Sequence, residues 1–360
     1  RAPPCVPPQN GLMSPDFSLD PAAPAPRHAP HGLLPPDDPQ RASLHNEVHS
    51  RPSARIRVPA LIVQVAVLNE GVTREMECAH LRRLPGQQGL APEQLNGNFL
   101  RLRYADHTVK WERHTEFTGY VIVQPLPDAA LLGAQAPDLL SALAVAPEWL
   151  RGIPGRTVAA IQLALVTGDL SDERALMNLG QTWFGGHTLV ASQLGNGHSW
   201  ALTEFRIGAD GFERMLVIAP PGTTDTRAGR ITQRLLELET YRLMALRGLP
   251  VAKALGPMLS QAESALSDIT ARLESKSASD QDLLDTLVSL AAQVERATAE
   301  HSYRFAATRA YDTLVGQRIT ELREKAIPGT QMLGEFMQRR LSPAMATVAA
   351  TAQRLASLSE

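Results

Sequence analysis

The apolar residues of this chain follow two different periods, and the change between them falls near residue 222. Before that point, short runs rich in Val, Ile and Leu alternate with stretches in which apolar residues recur every three or four positions. The first kind of run predicts buried strands and the second predicts amphipathic helices. From Thr224 to Glu360 only the helical spacing remains. The chain is therefore predicted to form an α+β domain followed by long helices.

The runs of the first part occur in a known order. RVPALIVQVAVL predicts a strand, TREMECAHLRRL a helix, NFLRLRYADHTVKWERHTEFTGYVIVQPL two strands joined at Ala105-Asp106-His107, PDLLSALAVAPEWL a helix and TVAAIQLALVTG a strand. This β-α-β-β-α-β order is that of a ferredoxin-like unit. After a further helix, three strand-like runs are separated by Asn196-Gly197 and Asp210-Gly211, turn pairs that predict an antiparallel meander. A mixed sheet of about seven strands is expected.

The second part divides into helices at its glycines and prolines. Helices are predicted over residues 225–246, 251–275, 280–325 and 328–360, with a kink in the last one at Ser342-Pro343. In the first of them Glu239 and Arg242 lie one turn apart, which is typical of an ion pair on a solvated edge. This part is expected to be an antiparallel bundle or stalk.

Proline dominates the beginning of the chain and defines a third segment. Residues 1–37 have the composition of a disordered leader, residues 38–221 form the predicted α+β domain, and residues 222–360 form the predicted helical bundle or stalk. The chain opens with Arg1 and stops inside the helical pattern LASLSE. We therefore expect it to be a fragment of a longer protein.

Composition and charge exclude several classes of protein. The formal net charge of −2 provides no basic field for nucleic acid, and the two cysteines, Cys5 and Cys78, form neither a disulfide framework nor a zinc-knuckle spacing. No apolar run reaches the roughly 18 residues that span a bilayer. The proline-rich start is not a secretory signal. We therefore expect a soluble chain in the reducing cytoplasm that does not bind nucleic acid.

The stretch HNEVHSRP places two histidines four residues apart. A proline lies near each end of DDPQRASLHNEVHSRP, which predicts a helix between them. On that helix His45 and His49 share one face, whereas Glu47 lies about 200° around the axis. Asn46 stands where a zincin needs its glutamate, so this is not a metalloprotease helix.

The stretch KWERHTEFTGY carries the second group of candidate side chains. As one strand, it would place Glu112, His114 and Glu116 on the same face. If that face lies against the helix of His45 and His49, imidazoles and carboxylates meet. Hydrogen-bonded pairing or solvation without a metal is the first interpretation. A divalent transition-metal site formed by His45, His49, His114 and either Glu112 or Glu116 is the second, and acid–base chemistry is the third.

Several of these stretches together resemble a bacterial family of uncharacterised, predicted membrane-anchored proteins. The segments that carry the resemblance are LHNEVHSRP, VKWERHTEFTGY, TEFRIGADGFERMLV, GRITQRLLELETYRLMAL and AYDTLVGQRITELREKAIPGTQMLGEFMQRRLSPAM. The resemblance covers almost everything from about residue 40 onward and implies a C-terminal apolar membrane segment that this chain does not contain. The layout also resembles, at the level of the fold alone, the cytosolic part of CorA-type magnesium channels.

These observations lead to three hypotheses about function. The first is a cytosolic, non-enzymatic domain at the inner face of the bacterial inner membrane. It would have a regulatory or scaffolding role and form homo-oligomers or bind a protein partner through its C-terminal helices. The second is a metal-dependent enzyme or metal sensor that uses the His/Glu cluster. The third is the cytosolic domain of a CorA-like cation transporter.

Overall fold

The computed structural model describes residues 37–47, 54–127, 137–275 and 279–359. It divides the chain into two compact units, residues 1–51 and residues 52–360. In the first unit the described residues contain helix α1, Arg41–Glu47. The predicted leader lies outside the described residues except at its last position, and the predicted boundary near residue 221 stays a prediction.

A mixed sheet forms the first half of the second unit. Its strands are β1 (Ala60–Leu68), β2 (Phe99–Arg103), β3 (Thr108–Arg113), β4 (Phe117–Pro125), β5 (Arg156–Thr167), β6 (Val190–Leu194), β7 (Ser199–Ile207), β8 (Glu213–Ala219) and β9 (Lys325–Ala326). They lie in the order β2-β3-β4-β1-β5-β8-β7-β6-β9. All neighbouring pairs are antiparallel except β5 and β8.

Two hydrophobic cores lie on opposite faces of this sheet, because successive side chains of a strand point to opposite sides. In β1, Leu61 and Val63 belong to one core, and Ile62 and Ala66 belong to the other. The first core is covered by the short helices α2 (Arg74–Leu81), α3 (Pro147–Arg151) and α4 (Glu173–Trp183). The second is covered by the long helices of the C-terminal half.

The long helices form two layers over the sheet. They are α5 (Asp225–Leu246), α6 (Gly248–Ser275), α7 (Asp280–Leu322), α8 (Leu333–Arg340) and α9 (Ser342–Ser359). Helix α5 lies against β5, α7 packs on α5, and α9 packs on both α6 and α7. Helix α7 contains 43 residues, about 65 Å at the helical rise per residue. Within the described parts of the chain, none of the helices combines the length and apolar character needed to cross a bilayer.

The α+β class and the long helices agree with the prediction, but the expectation of one strand through KWERHTEFTGY is wrong. The strand ends at Arg113 and β4 begins at Phe117, with the three residues His114, Thr115 and Glu116 between them. The His114 amide donates to the Phe117 carbonyl at 2.8 Å, so the chain reverses at Thr115–Glu116. This loop contains neither Gly nor Asn, so the usual signal of a tight hairpin is missing. The ferredoxin-like pattern therefore contains one additional strand, and β4 runs antiparallel to β1.

Two predicted helices are also shorter than expected. In PDLLSALAVAPEWL only α3 is helical, because the Gln124 side-chain amide donates to the Ala142 carbonyl and accepts from the Ala144 amide, both at 2.7 Å. These bonds hold the backbone outside helical geometry. The final helix is divided at Leu341 into α8 and α9, since Pro343 has no N–H to donate and its ring crowds the preceding turn.

The first core also buries a neutral imidazole. His80 is 4 % exposed, and within the part of the chain that the structure describes neither ring nitrogen has a hydrogen-bond partner. Its ring stacks on Trp149 with a centroid distance of 4.6 Å and meets the edge of Tyr120 at 5.7 Å. Burial, followed by the nearby Arg83 guanidinium, lowers the pKa of His80 from 6.5 to about 4. The folded protein therefore opposes protonation of this ring.

Acid is expected to destabilise the protein through His80. Because the folded-state pKa is depressed, the unfolded chain binds the proton more tightly, and stability is lost as pH falls from 6.5 toward about 4. The loss reaches about 3 kcal/mol. Urea unfolding at neutral and mildly acidic pH measures this loss of stability. The His80→Phe variant, whose ring does not titrate, is the control. An equal loss in wild type and His80→Phe contradicts this assignment.

Candidate functional site

The predicted acidic and imidazole side chains of the β3–β4 hairpin have separate partners. The Glu116 carboxylate accepts two hydrogen bonds from Arg304 of α7, at 2.7 and 3.0 Å. Glu112 accepts from Lys110 at 2.9 Å, and the His114 ring stacks on Phe117 at 4.3 Å. His114 Nε2 lies 3.7 Å from Glu112. Glu116 therefore ties the hairpin to the helical half, whereas Glu112 and His114 remain close to one another.

The predicted meeting of this hairpin with the two other histidines stays a prediction. His45 lies on α1 in the unit formed by residues 1–51, and His49 lies outside the described residues. Among the side chains that the structure describes, no three His, Cys, Asp or Glu come together in a way that could hold a metal ion. The metal hypothesis thus rests on the sequence pattern.

A cleft lies beside this hairpin, between the sheet and helix α5. Its cavity volume is about 70 Å³, and its lining includes side chains of β2 and β3. Its apolar wall consists of Ile56, Ile62, Phe117, Val121, Val123 and Leu236. Gly119 of β4 also faces the cleft, directly across from Glu112 in the strand register. The strand thus presents backbone where a side chain would otherwise fill the space.

Polar side chains surround this apolar wall. Gln64 of β1 donates to Thr240 of α5 at 2.7 Å. Thr232, also on α5, is 2 % exposed, and none of the residues that the structure describes forms a hydrogen bond with its hydroxyl. Burial, and next the Glu237 carboxylate, raise the pKa of Tyr241 above its usual range. The cleft therefore combines an apolar interior with a small number of positioned polar groups, as small-molecule sites do.

A second polar cluster lies under α5 and was missed by sequence reasoning. Glu239 is fully buried and accepts from Arg242 at 2.7 Å, while Glu213 of β8 is 5 % exposed and lies 3.9 Å from the same guanidinium. Burial, and then the neighbouring Glu239 carboxylate, raise the pKa of Glu213 well above its ordinary value. The prediction of a solvated edge for Glu239 and Arg242 is therefore wrong. An acid and a base three residues apart form the same sequence pattern whether their helix face is solvated or buried, so the pattern could not distinguish the two cases.

The end of the α6–α7 hairpin exposes large apolar side chains. On α7 they are Leu284, Leu287 and Val288, which are 53, 42 and 60 % exposed. Their spacing places them on one face of the helix. On α6, Leu266 and Leu273 are 41 and 55 % exposed and lie seven residues apart, again on one face. We call these five side chains the hairpin stripe.

The fold and these sites define an α+β protein in which a mixed sheet carries long helices on one face and a small cleft beneath the first of them. The chain belongs to the family described as "Protein of unknown function (DUF3422)", whose model matches residues 36–360. The resemblance to an uncharacterised family is thereby confirmed. No curated protein and no solved structure matches the chain. Membrane anchoring and the likeness to CorA-type channels stay predictions.

Proposed function

We propose that this domain is a scaffolding domain that binds a basic amphipathic helix of a partner protein through the hairpin stripe. The observation that carries the proposal is that α6 and α7, which contact each other, each expose large apolar residues on one face near the end of their hairpin. Single exposed apolar residues are common on protein surfaces, but a contiguous group on a helix face is typical of an interaction site. Grooves and faces of this kind bind amphipathic helices through residues spaced three and four apart.

Helix α9 provides an internal example of such packing. It lies on α6 and α7, buries Leu355, and pairs Arg354 with Glu263 of α6 through bonds of 2.7 and 2.8 Å. Within this fold, helix α9 thus already packs its apolar face on the α6–α7 hairpin. A basic residue at the edge of that face pairs with an acid of the hairpin. A partner helix on the stripe would repeat this arrangement farther along α6 and α7.

The charges around the stripe favour a basic partner. The exposed acids beside it are Asp268, Glu274, Asp280, Asp282 and Asp285. Against them the same part of the sequence contains the bases Arg272 and Lys276. A second copy of this hairpin would bring acid against acid, and an anionic membrane surface would be repelled in the same way. A helix with lysine or arginine beside its apolar face is complementary.

A synthetic amphipathic helical peptide with a leucine face and lysine flanks tests the proposal by fluorescence anisotropy. We expect saturable binding that weakens at least tenfold in Leu284→Gln/Val288→Gln, because two central apolar contacts are lost. Ile207→Gln is the matched control: it removes a side chain that is 79 % exposed on β7 and should leave binding unchanged. A peptide with glutamate flanks should not bind.

Two outcomes would overturn this assignment. Equal affinity of the peptide for wild type and Leu284→Gln/Val288→Gln would place any binding elsewhere. Concentration-dependent dimerisation in light scattering, abolished by the same double variant, would identify a second copy as the occupant of the stripe. A regulatory role, and a position at the cytoplasmic face of the bacterial inner membrane as the membrane segment implied by the sequence resemblance suggests, complete the proposal.

A further inference from the structure

We propose that the cleft between the sheet and α5 binds a small neutral molecule, made of a short apolar chain and one oxygen atom that hydrogen-bonds to Thr232. Two independent features carry this inference. One is a strand glycine that leaves room for an occupant, and the other is a buried hydroxyl that lines the cleft and has no partner in the part of the chain that the structure describes. The cleft is a different surface from the hairpin stripe, so the inference does not depend on the proposed function.

Gly119 of β4 accounts for the room inside the cleft. A Cβ built on this residue would lie 3.9 Å from the Glu112 carbonyl oxygen, and no other atom would be within 4 Å. The backbone does not require glycine here, since Gly119 is absent from the positive-φ residues of the chain. Glycine inside a strand reduces stability and often marks a place where a ligand approaches the backbone. Room for a ligand is therefore a physical reason for this glycine.

The wall around this room is largely apolar. Ile62, Val121 and Leu236 line the cleft, and all three belong to the core on the helix side of the sheet. The lining also includes Lys110, whose side chain is 22 % exposed. The cleft is thus formed by core and surface residues together. An occupant gains free energy by placing apolar atoms against this wall, because they are removed from water.

Thr232 supplies one hydrogen-bonding group inside the cleft. It is 2 % exposed, and no described residue forms a hydrogen bond with its Oγ1. The nearby Thr240 differs, because its hydroxyl donates to the Leu236 carbonyl and accepts from Gln64. A buried hydroxyl without a hydrogen bond is unfavourable, and a threonine hydroxyl can both donate and accept. The oxygen of an alcohol therefore satisfies Thr232 without breaking an existing bond.

The charges of the lining favour a neutral ligand. The Arg, Lys, Asp and Glu side chains that line the cleft are two cations and two carboxylates, namely Arg101, Lys110, Glu112 and Glu237. Their formal charges cancel, so the lining as a whole attracts neither an anion nor a cation. Transfer of an ion from water to an apolar wall is far more costly than transfer of a hydroxyl. An alcohol leaves the Lys110–Glu112 pair intact and still bonds to Thr232.

Six-carbon probes that differ only in their polar group test the chemical class of the ligand. They are 1-hexanol, hexanoate and hexylammonium, and their binding to the 360-residue chain is measured by isothermal titration calorimetry and ligand-observed NMR. We expect saturable binding of 1-hexanol. Its affinity should exceed that of either ion by at least about tenfold, because each ion must lose its hydration to enter.

Thr232→Val tests the hydrogen bond, because valine has a similar shape and no hydroxyl. This variant should weaken 1-hexanol about fivefold, whereas Thr232→Ser should retain the affinity. Thr298→Val is the matched control. The Thr298 hydroxyl also has no partner among the residues that the structure describes, but Thr298 does not line the cleft. The control should therefore leave the affinity for 1-hexanol unchanged.

Two substitutions at Gly119 test the position of the ligand by filling the cleft in steps. Gly119→Ala adds a Cβ that fits without a close contact, so the variant should fold and bind 1-hexanol more weakly. Gly119→Val adds a larger side chain that suits a strand and should abolish binding. Circular dichroism confirms folding, and if Gly119→Val does not fold, Gly119→Ala and the Thr232 variants decide.

Four results would overturn the proposal. If 1-hexanol does not bind at millimolar concentration, the cleft is not a site for this class of ligand. If either ion binds more tightly than 1-hexanol, the ligand is not neutral. Equal affinity of 1-hexanol for wild type and Thr232→Val would remove the role of the hydroxyl, and wild-type affinity in folded Gly119→Val would place the ligand outside the cleft. None of these results bears on the hairpin stripe, so the two proposals fail independently.

Discussion

Gly229→Ala is expected to lower the free energy of unfolding by about 2–3 kcal/mol, although alanine is the better helix former. Gly229 lies in α5 where this helix crosses the segment that leads into β1. A Cβ at this position would lie 1.7 Å from the Ala54 carbonyl oxygen and 2.8 Å from its carbonyl carbon. These are backbone atoms, so no side-chain rotation relieves the overlap. The segment must move, and the hydrogen bond from the Ile56 amide to the Asp225 carbonyl is lost with it.

Gly316→Ala is the matched control for this experiment. Gly316 is an exposed glycine of α7, and a Cβ there would meet no atom within 4 Å. The same substitution should therefore raise the free energy of unfolding by about 0.5–1 kcal/mol, because it restricts the unfolded chain and favours the helix. Urea unfolding measures both. If Gly229→Ala also stabilises the protein, α5 does not approach the β1 segment as closely as described.

Arg242→Met is expected to lower the free energy of unfolding by about 3–5 kcal/mol at neutral pH, because it leaves the buried Glu239 carboxylate without its counter-ion. Methionine keeps a long apolar stem, so packing is largely retained. Glu239 is fully buried and Glu213 is 5 % exposed, so neither carboxylate gains compensation from water. Arg354→Met is the control. It breaks a two-bond pair with Glu263 whose side chains are 38 and 43 % exposed, and such pairs contribute about 1 kcal/mol or less.

The pH dependence of this cluster has a defined sign. The folded-state pKa of Glu213 is raised above its ordinary value of 4.5, mainly by burial and then by Glu239. Its contribution to stability is therefore complete below pH 4.5 and is lost as pH rises through the raised folded-state pKa. Glu213→Gln should remove this loss and be more stable than wild type at mildly alkaline pH. A parallel pH dependence of the two proteins would show that Glu213 does not titrate in this way.

The class of the fold was predictable, because a buried strand face needs apolar residues at every second position and a buried helix face needs them at every third or fourth position. Both patterns are visible in a single sequence. Strands β1 and β5 are mostly apolar. The β6–β8 meander is marked by the turn pairs Asn196-Gly197 and Asp210-Gly211. The β3–β4 turn was not predictable, because Thr115–Glu116 continues the alternation without a turn residue. Local sequence patterns therefore identified the strands and helices, but they failed at a turn that contains no typical turn residue.

The candidate sites depend on contacts between segments that are distant in the chain. Glu112 and His114 were identified from the sequence, but the cleft beside them also needs Gly119 of β4 and Thr232 of α5. Glu239 has the same spacing to Arg242 as an ordinary surface pair, and only the packing of α5 on the sheet shows that it is buried. No pattern in a single segment contains this information.

The sequence by itself determined the α+β class, the position of most strands, the change to long helices after residue 222 and the membership of an uncharacterised family. These properties follow from local periodicity and composition, which act within one element at a time. The tertiary structure decided which face of α5 is buried, where the sheet leaves a cleft, and which apolar side chains remain uncovered at the end of the α6–α7 hairpin. Those outcomes depend on the packing of elements that lie far apart in the chain, because burial is a property of the assembled layers and not of any one segment.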